Sequence, residues 1–213
     1  MSGASLDVSR PAAAPPVGLI LAAGAGRRLG CGPKALLLLR GVPLVEHVAR
    51  ALREGGCAEV VVVTGADAER VGAVMDGMPW ARTEQNPRWR EGMGTSLRTG
   101  LAAIGAGRDV LVTPVDRPGM CAEEVARVLA AHRHGGITAA AHREASGGLR
   151  RGHPVLLDAA WTTAAAEAAH ADVGARDLLR ARRDQVQLVD CTDLDDGADL
   201  DLPEDLWRLD VRG

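Results

Sequence analysis

The chain has 213 residues, with Lys+Arg 25 against Asp+Glu 28 and a formal net charge of −3. That length suits one domain with a sizeable core. The near-neutral balance excludes the global basic footprint of a non-sequence-specific nucleic-acid binder. Phe and Tyr are both 0 and Trp is 4, so the core falls to Val, Leu, Ile and Ala.

Residues 1–16, MSGASLDVSRPAAAPP, lack an apolar signal core and read as a disordered tail ahead of a single domain over 17–213. VGLILAA (17–23) is a continuous apolar run ending in Gly, as in a strand buried on both faces. GAGRRLGCGPK (24–34) follows as a glycine-rich, cationic loop. Pro43 opens a helix through about Glu54, closed by Gly55–Gly56. AEVVVVTG (58–65) is the second buried strand, DAERVGAVMDG (67–77) an amphipathic helix, and WARTEQNP (80–87) a short strand stopped by proline.

Residues 92–104 run from a loop into a helix, with Thr95 or Ser96 as its cap. DVLVTPVD (109–116) is a strand and 121–135 a helix, with His132 and His134 closing it where positive charge suits the dipole. ITAAAH (137–142) is a strand, followed by a polar loop to Gly152. PVLL, an Ala-rich helix near 159–170, a helix near 174–183, strand QVQLVD and a short helix from Pro203 complete the chain. This alternation predicts a three-layer α/β fold around a largely parallel sheet, with ligands beyond the carboxyl ends of the strands.

Three segments at those ends carry chemistry. Gly24 and Gly26 allow a tight turn whose N–H groups can cradle an anion, and Arg27, Arg28 and Lys34 add positive charge. The spacing fits neither a dinucleotide fingerprint, which needs Gly where Leu29 stands, nor a P-loop, because Ala35 follows Lys34. A solvated basic turn is the plainer alternative. Asp116, just past a buried strand, suits either a divalent cation beside phosphates or a simple turn before proline. Asp199 or Asp201, in the acidic stretch 193–206, can complete a metal site with it or merely favour a helix N-terminus. The 4 cysteines, Cys31, Cys57, Cys121 and Cys191, stand singly, which suggests neither disulfides nor a zinc site and fits a cytoplasmic protein. No apolar run approaches the ~18 residues of a membrane helix.

LAAGAGRRLGCGPKALLL (21–38) resembles the signature of nucleotidyltransferases with the nucleotide-diphospho-sugar transferase fold. NPRWREGMGTSLRTGL (86–101), PVDRP (114–118), RGHPVLL (151–157), DVGARDLL (172–179) and DLDLPEDL (199–206) resemble, in order, the rest of the molybdenum cofactor cytidylyltransferase branch. The resemblance implies a three-layer Rossmann-like fold, mostly parallel with one antiparallel strand. It also implies transfer of CMP from CTP to molybdopterin-bound molybdenum, with Mg²⁺ as cofactor and pyrophosphate as product. Another nucleoside triphosphate, a sugar or polyol phosphate acceptor, or a non-catalytic nucleotide binder are the alternatives.

On the same resemblance, Leu21, Ala22, Ala23, Gly24, Ala25 and Gly26 meet the nucleotide, with Gly92 and Ser96 beside it. Arg28, Lys34 and Asp116 carry the catalysis, and Asp116 with Asp201, or else Asp199, holds the metal. His153, Asp172 and Arg176 line the acceptor side. Contact with a molybdoenzyme or its chaperone is the implied protein partnership; nucleic acid and membrane are not partners. Arg117 stands where this branch more often has Gln, Met or His, and Leu202 replaces the usual Thr before Pro203.

Overall fold

Four consecutive valines explain the layering. In a strand successive side chains alternate faces, and Val60 and Val62 enter one apolar cluster while Val61 and Val63 enter another. A strand buried on both faces needs helices above and below it, and the computed structural model, which describes residues 14–171 and 174–209, has that arrangement. The tail expected over 1–16 lies mainly outside the described residues, as does Asp172.

The elements run β1 (Val17–Leu21), β2 (Leu38–Leu39), β3 (Val42–Pro43), α1 (Leu44–Glu54), β4 (Glu59–Thr64), α2 (Ala68–Met75), β5 (Ala81–Gln85) and α3 (Met93–Ile104). They continue with β6 (Val110–Pro114), α4 (Ala122–Ala131), β7 (Ile137–Arg143), β8 (Leu149–Leu157), α5 (Ala159–Ala168), α6 (Arg176–Ala181) and β9 (Val186–Asp190). Seven strands form one sheet in the order β5-β4-β1-β6-β8-β7-β9. Every pairing is parallel except those of β8, which runs antiparallel to β6 and β7. Buried residues of α1, α2 and α4 pack on one face, and those of α3, α5 and α6 on the other.

The structure corrects several local expectations. Strand β8 begins at Leu149, not Pro154, because Leu149–Arg151 pair with Ala141–Arg143 beyond a register shift in β7. Its polar residues are tolerated there because that end of the strand borders a pocket rather than the core. Helix α4 stops at Ala131, and His132 is already extended, so neither His132 nor His134 closes a helix. Helix α3 starts from Gly92 at φ 110°, with no side-chain cap among the described residues; Thr95 and Ser96 fall in its first turn. The short helix expected from Pro203 is present, as a 3-10 helix over Pro203–Leu209. The hairpin of β2 and β3, invisible in the apolar run before it, turns on Arg40 and Gly41, both at positive φ.

Candidate active site

The chain leaves β1 at the centre of the sheet, builds β4 and β5 to one side, then returns to place β6 on the other. The carboxyl ends of β1 and β6 therefore flank a topological switch point, where open α/β sheets bind ligands. The glycine loop follows β1 and Asp116 follows β6, so one crevice receives both. Leu200 N–H donates to the Asp116 carbonyl at 3.0 Å, bringing the acidic C-terminal loop to the same edge.

In the glycine loop, Gly26 takes φ 63°, and a Cβ there would lie 1.9 Å from the Gly32 carbonyl oxygen. Only glycine fits, for both reasons. Its own carbonyl accepts from Leu29 and Gly30 N–H at 3.1 Å each. The N–H groups of Gly24, Ala25, Gly26, Arg27 and Arg28 have no acceptor among the described residues, which leaves a concavity of donors suited to an anion. Beside it is a cleft of about 430 Å³, lined by this loop, Lys34, Trp89, Arg90, Gly92, Ser96 and Asp116.

Lys34 bridges two carboxylates beside this cleft. Lys34 Nζ donates to Asp116 Oδ2 at 2.7 Å and to Asp201 Oδ1 at 3.0 Å. Burial pulls the Lys34 ammonium down, but Asp116 and then Asp201 outweigh it and hold it above its ordinary value. Arg28 reaches Asp201 at 3.3 Å, yet its side chain is 75% exposed and remains available to an incoming anion. Asp116 Oδ1 is buried and has no hydrogen-bond partner among the described residues. An orphaned carboxylate oxygen beside a second carboxylate is a hard-oxygen donor set, so Asp116 and Asp201 fit a small divalent cation. Asp199 is close enough to feel the charge of Asp116; burial and that charge push its carboxyl up to about 6.

Ser96 reaches the cleft through a residue that sequence reasoning passed over. Asn86, 1% exposed at the end of β5, donates to Thr95 Oγ at 2.8 Å and Ser96 Oγ at 3.0 Å. It pins the start of α3 to the sheet. Its sequence signals were the Asn-Pro stop of the strand and its place at the head of the block 86–101.

A second pocket, about 230 Å³, adjoins the first and shares Leu21, Met93 and Pro114 with it. Its polar rim is Arg150, Arg151, His153, Arg176 and Asp199 over an apolar floor. Among the described residues neither Arg151 nor Arg176 has an acidic partner, and burial together with the charge of Arg176 pulls Arg151 below its ordinary value. Crowded cations without counter-charges favour an anionic ligand. His153 is held neutral: burial first, then Arg117 and Arg151, push its pKa down to about 4. Arg150 and Arg151 were not legible as pocket residues, because their strand was expected to be loop.

Another ligand set lies at the opposite, amino end of the parallel strands, where ligand atoms of Asp109, His132 and Asp158 fall within 4.8 Å of one another. Its carboxylates are engaged structurally. Asp109 accepts from Ala159 N–H at 2.8 Å, and Asp158 from Ala160 at 3.0 Å and Gly135 at 2.6 Å. It is separate from the crevice that joins the two pockets.

A glycine loop at a switch point, paired carboxylates and an adjoining cationic pocket are the parts that nucleotidyl transfer requires. Residues 18–186 match the MobA-like NTP transferase domain, and the chain belongs to that family. It is 45% identical over 194 residues to a nicotine blue oxidoreductase of Paenarthrobacter nicotinovorans, covering 90% of this chain and 95% of that protein. It is 36% identical over 197 residues to a molybdenum cofactor guanylyltransferase of Cereibacter sphaeroides, covering 91% and 94%. Among solved structures, a nucleotidyl transferase from Methanothermobacter thermautotroptrophicus superposes with a TM-score of 0.76 at 22% identity, over 91% of this chain and 94% of that one. Among the described residues, no helix is long and apolar enough to cross a membrane.

Proposed function

We propose that the chain transfers CMP from CTP to the phosphate of molybdopterin carrying molybdenum, releasing pyrophosphate. The observation that carries this reading is the pair of adjoining anion pockets, one built from a glycine loop and paired carboxylates, the other from three arginines. Group transfer between two anions needs them aligned and their repulsion offset. The acceptor phosphate oxygen attacks the α-phosphorus in line, the bond to the β-phosphate bridge breaks, and pyrophosphate leaves. A phosphate nucleophile is already ionised near neutral pH, so no general base is required.

In this reading the backbone from Leu21 to Gly26, with Gly92 and Ser96, receives the nucleotide. Arg28 and Lys34 balance the triphosphate, and Asp116 with Asp201 holds Mg²⁺, which would neutralise phosphate oxygens. His153, Asp172 and Arg176 take the acceptor. A molybdoenzyme or its chaperone would receive the product.

The test is calorimetric titration of CTP, GTP, ATP and UTP with and without Mg²⁺, followed by pyrophosphate release with molybdopterin-bound molybdenum. Selective CTP binding strengthened by Mg²⁺, then acceptor-dependent release, is expected. GTP preference would reassign the base, as the name of the Cereibacter relative suggests. Turnover with a sugar or polyol phosphate would reassign the acceptor.

A second reading follows from the 45% identity to a protein named an oxidoreductase. The arginine-rimmed pocket would then take a conjugated heteroaromatic acceptor, with the reductant held in a way other than the dinucleotide fingerprint that the glycine loop lacks. Oxidation of NADH or NADPH that depends on a quinonoid dye, in protein that releases no pyrophosphate from any triphosphate, would favour it.

A further inference from the structure

Arg117 adds a charge that the reaction above does not use. It is 1% exposed, and burying a guanidinium is costly unless its donors are matched; Nη1 and Nη2 are matched here, while Nε has no partner among the described residues. Its Nη2 donates to Glu124 Oε1 at 3.2 Å and to Asp195 Oδ2 at 2.8 Å, while Nη1 donates to the His153 carbonyl. Burial pulls the guanidinium down, but Glu124 and Asp195 outweigh it and hold it above its ordinary value. Glu124, on α4, is itself 0% exposed and also faces His142 Nε2 at 3.2 Å.

Each partner belongs to a different wall of the site. Asp195 opens the loop that carries Asp199 and Asp201; the same oxygen accepts Gly197 N–H at 3.1 Å. That loop is packed tightly on the segment after β6, since a Cβ on Gly119 would come within 2.0 Å of Asp195 Oδ1. His153 is on β8, where it lines the arginine-rimmed pocket. Arg117 follows Asp116 directly. One guanidinium therefore joins the strand end bearing Asp116, the acidic loop and the far wall of the second pocket, without lining either pocket itself.

We propose that Arg117 is a positioning residue that fixes His153 and the Asp199–Asp201 loop at one separation across the acceptor pocket. It governs how the acceptor stands against the paired carboxylates and leaves the nucleotide cradle untouched. Lysine cannot replace it, because one ammonium lacks the planar fork that reaches three acceptors in different directions.

The turnover arm of the test rests on the transfer reaction proposed above; the exchange arm does not. In Arg117→Lys, CTP affinity measured by calorimetry without Mg²⁺ should stay within about twofold, while kcat/KM for molybdopterin-bound molybdenum falls about 10- to 100-fold, the loss typical when a group orienting a functional ligand is removed. Amide hydrogen exchange should quicken in 195–200 and 150–155 and stay unchanged in 24–30. Asp195→Asn, which keeps the Arg117–Glu124 pair, should give the same pattern more weakly and serves if the lysine variant does not fold. Equal losses in nucleotide affinity and acceptor turnover, or wild-type exchange in both variants, would overturn the proposal. If the wild-type protein transfers nothing to any acceptor, the transfer reading fails, and the exchange pattern alone upholds or overturns Arg117.

Discussion

The two halves of the site are built by opposite means. The nucleotide half is a continuous peptide, Leu21 to Lys34, that offers backbone donors and an exposed Arg28 at 75% side-chain exposure. The half proposed for the acceptor is gathered from β8, α6 and the acidic loop, and it is held from behind by the ion pairs of the buried Arg117 with Glu124 and Asp195. Backbone donors in a glycine turn serve any phosphate at the same place, so selection of the base falls to the other walls of the cleft. Pocket walls held by buried charge are stiff and particular, because breaking a buried pair leaves an uncompensated charge. In the proposed transfer reaction, the difference assigns nucleotide affinity to the first half and acceptor choice to the second.

The sharpest way to break that division is Asp116→Asn, since Asp116 stands at the seam. Turnover should fall at least about 10²-fold, the scale lost with one charge-stabilising group. Circular dichroism and melting should show the fold retained. An active variant would remove the metal assignment. Lys34→Met comes next. Its ammonium lies between the carboxylates of Asp116 and Asp201. Without it, Mn²⁺ should bind the nucleotide-free protein about tenfold more tightly while CTP binds about tenfold more weakly, roughly 1.4 kcal/mol in each direction. Electron paramagnetic resonance and calorimetry separate the two effects; parallel losses would make Lys34 purely structural.

Arg28→Ala is expected to weaken CTP several-fold and CMP little, because an exposed cation contributes modestly and acts on the outer phosphates. Equal losses for both ligands would place Arg28 in the loop's structure instead. The smallest effect tests the acceptor half. His153 falls from an ordinary 6.5 to about 4 in the folded chain, so between these values the unfolded state binds the extra proton. Stability contributed by the neutral ring is full above about 6.5 and is lost as pH falls toward 4. In His153→Gln the acid-side drop in melting temperature should be shallower than in the wild-type protein. An identical profile would show that the ring titrates freely.

The same division explains what the sequence disclosed. The strands and helices were legible because Val60–Val63 and the glycine-stopped apolar runs obey period and punctuation. The cradle was legible because its parts are neighbours in the chain. Asp116 and Asp201 were legible as acids after strands, though not that Lys34 spans them. The network behind the acceptor pocket was not legible, because Arg117 meets partners 7, 36 and 78 residues away. It showed only as an arginine of no evident purpose beside Asp116. Arg150 and Arg151 were hidden for a related reason: charged residues at the pocket end of a strand break the apolar pattern by which strands are recognised. Thr95 and Ser96 mimicked a helix cap, whereas the backbone freedom of Gly92 starts α3 and leaves the hydroxyls to Asn86.

Trp89 has an optical consequence. It borders the nucleotide cleft, lies so close over Gly65 that a Cβ there would meet its Cγ at 2.6 Å, and carries the Arg90 guanidinium 4.4 Å from its ring centroid. The chain contains no Phe or Tyr and only 4 Trp, so its near-ultraviolet emission comes from indoles alone. The other three, Trp80, Trp161 and Trp207, line neither pocket. The protein thus carries a native fluorophore at the mouth of its cleft, and the difference spectrum between it and Trp89→Leu isolates the light that a bound nucleotide can quench.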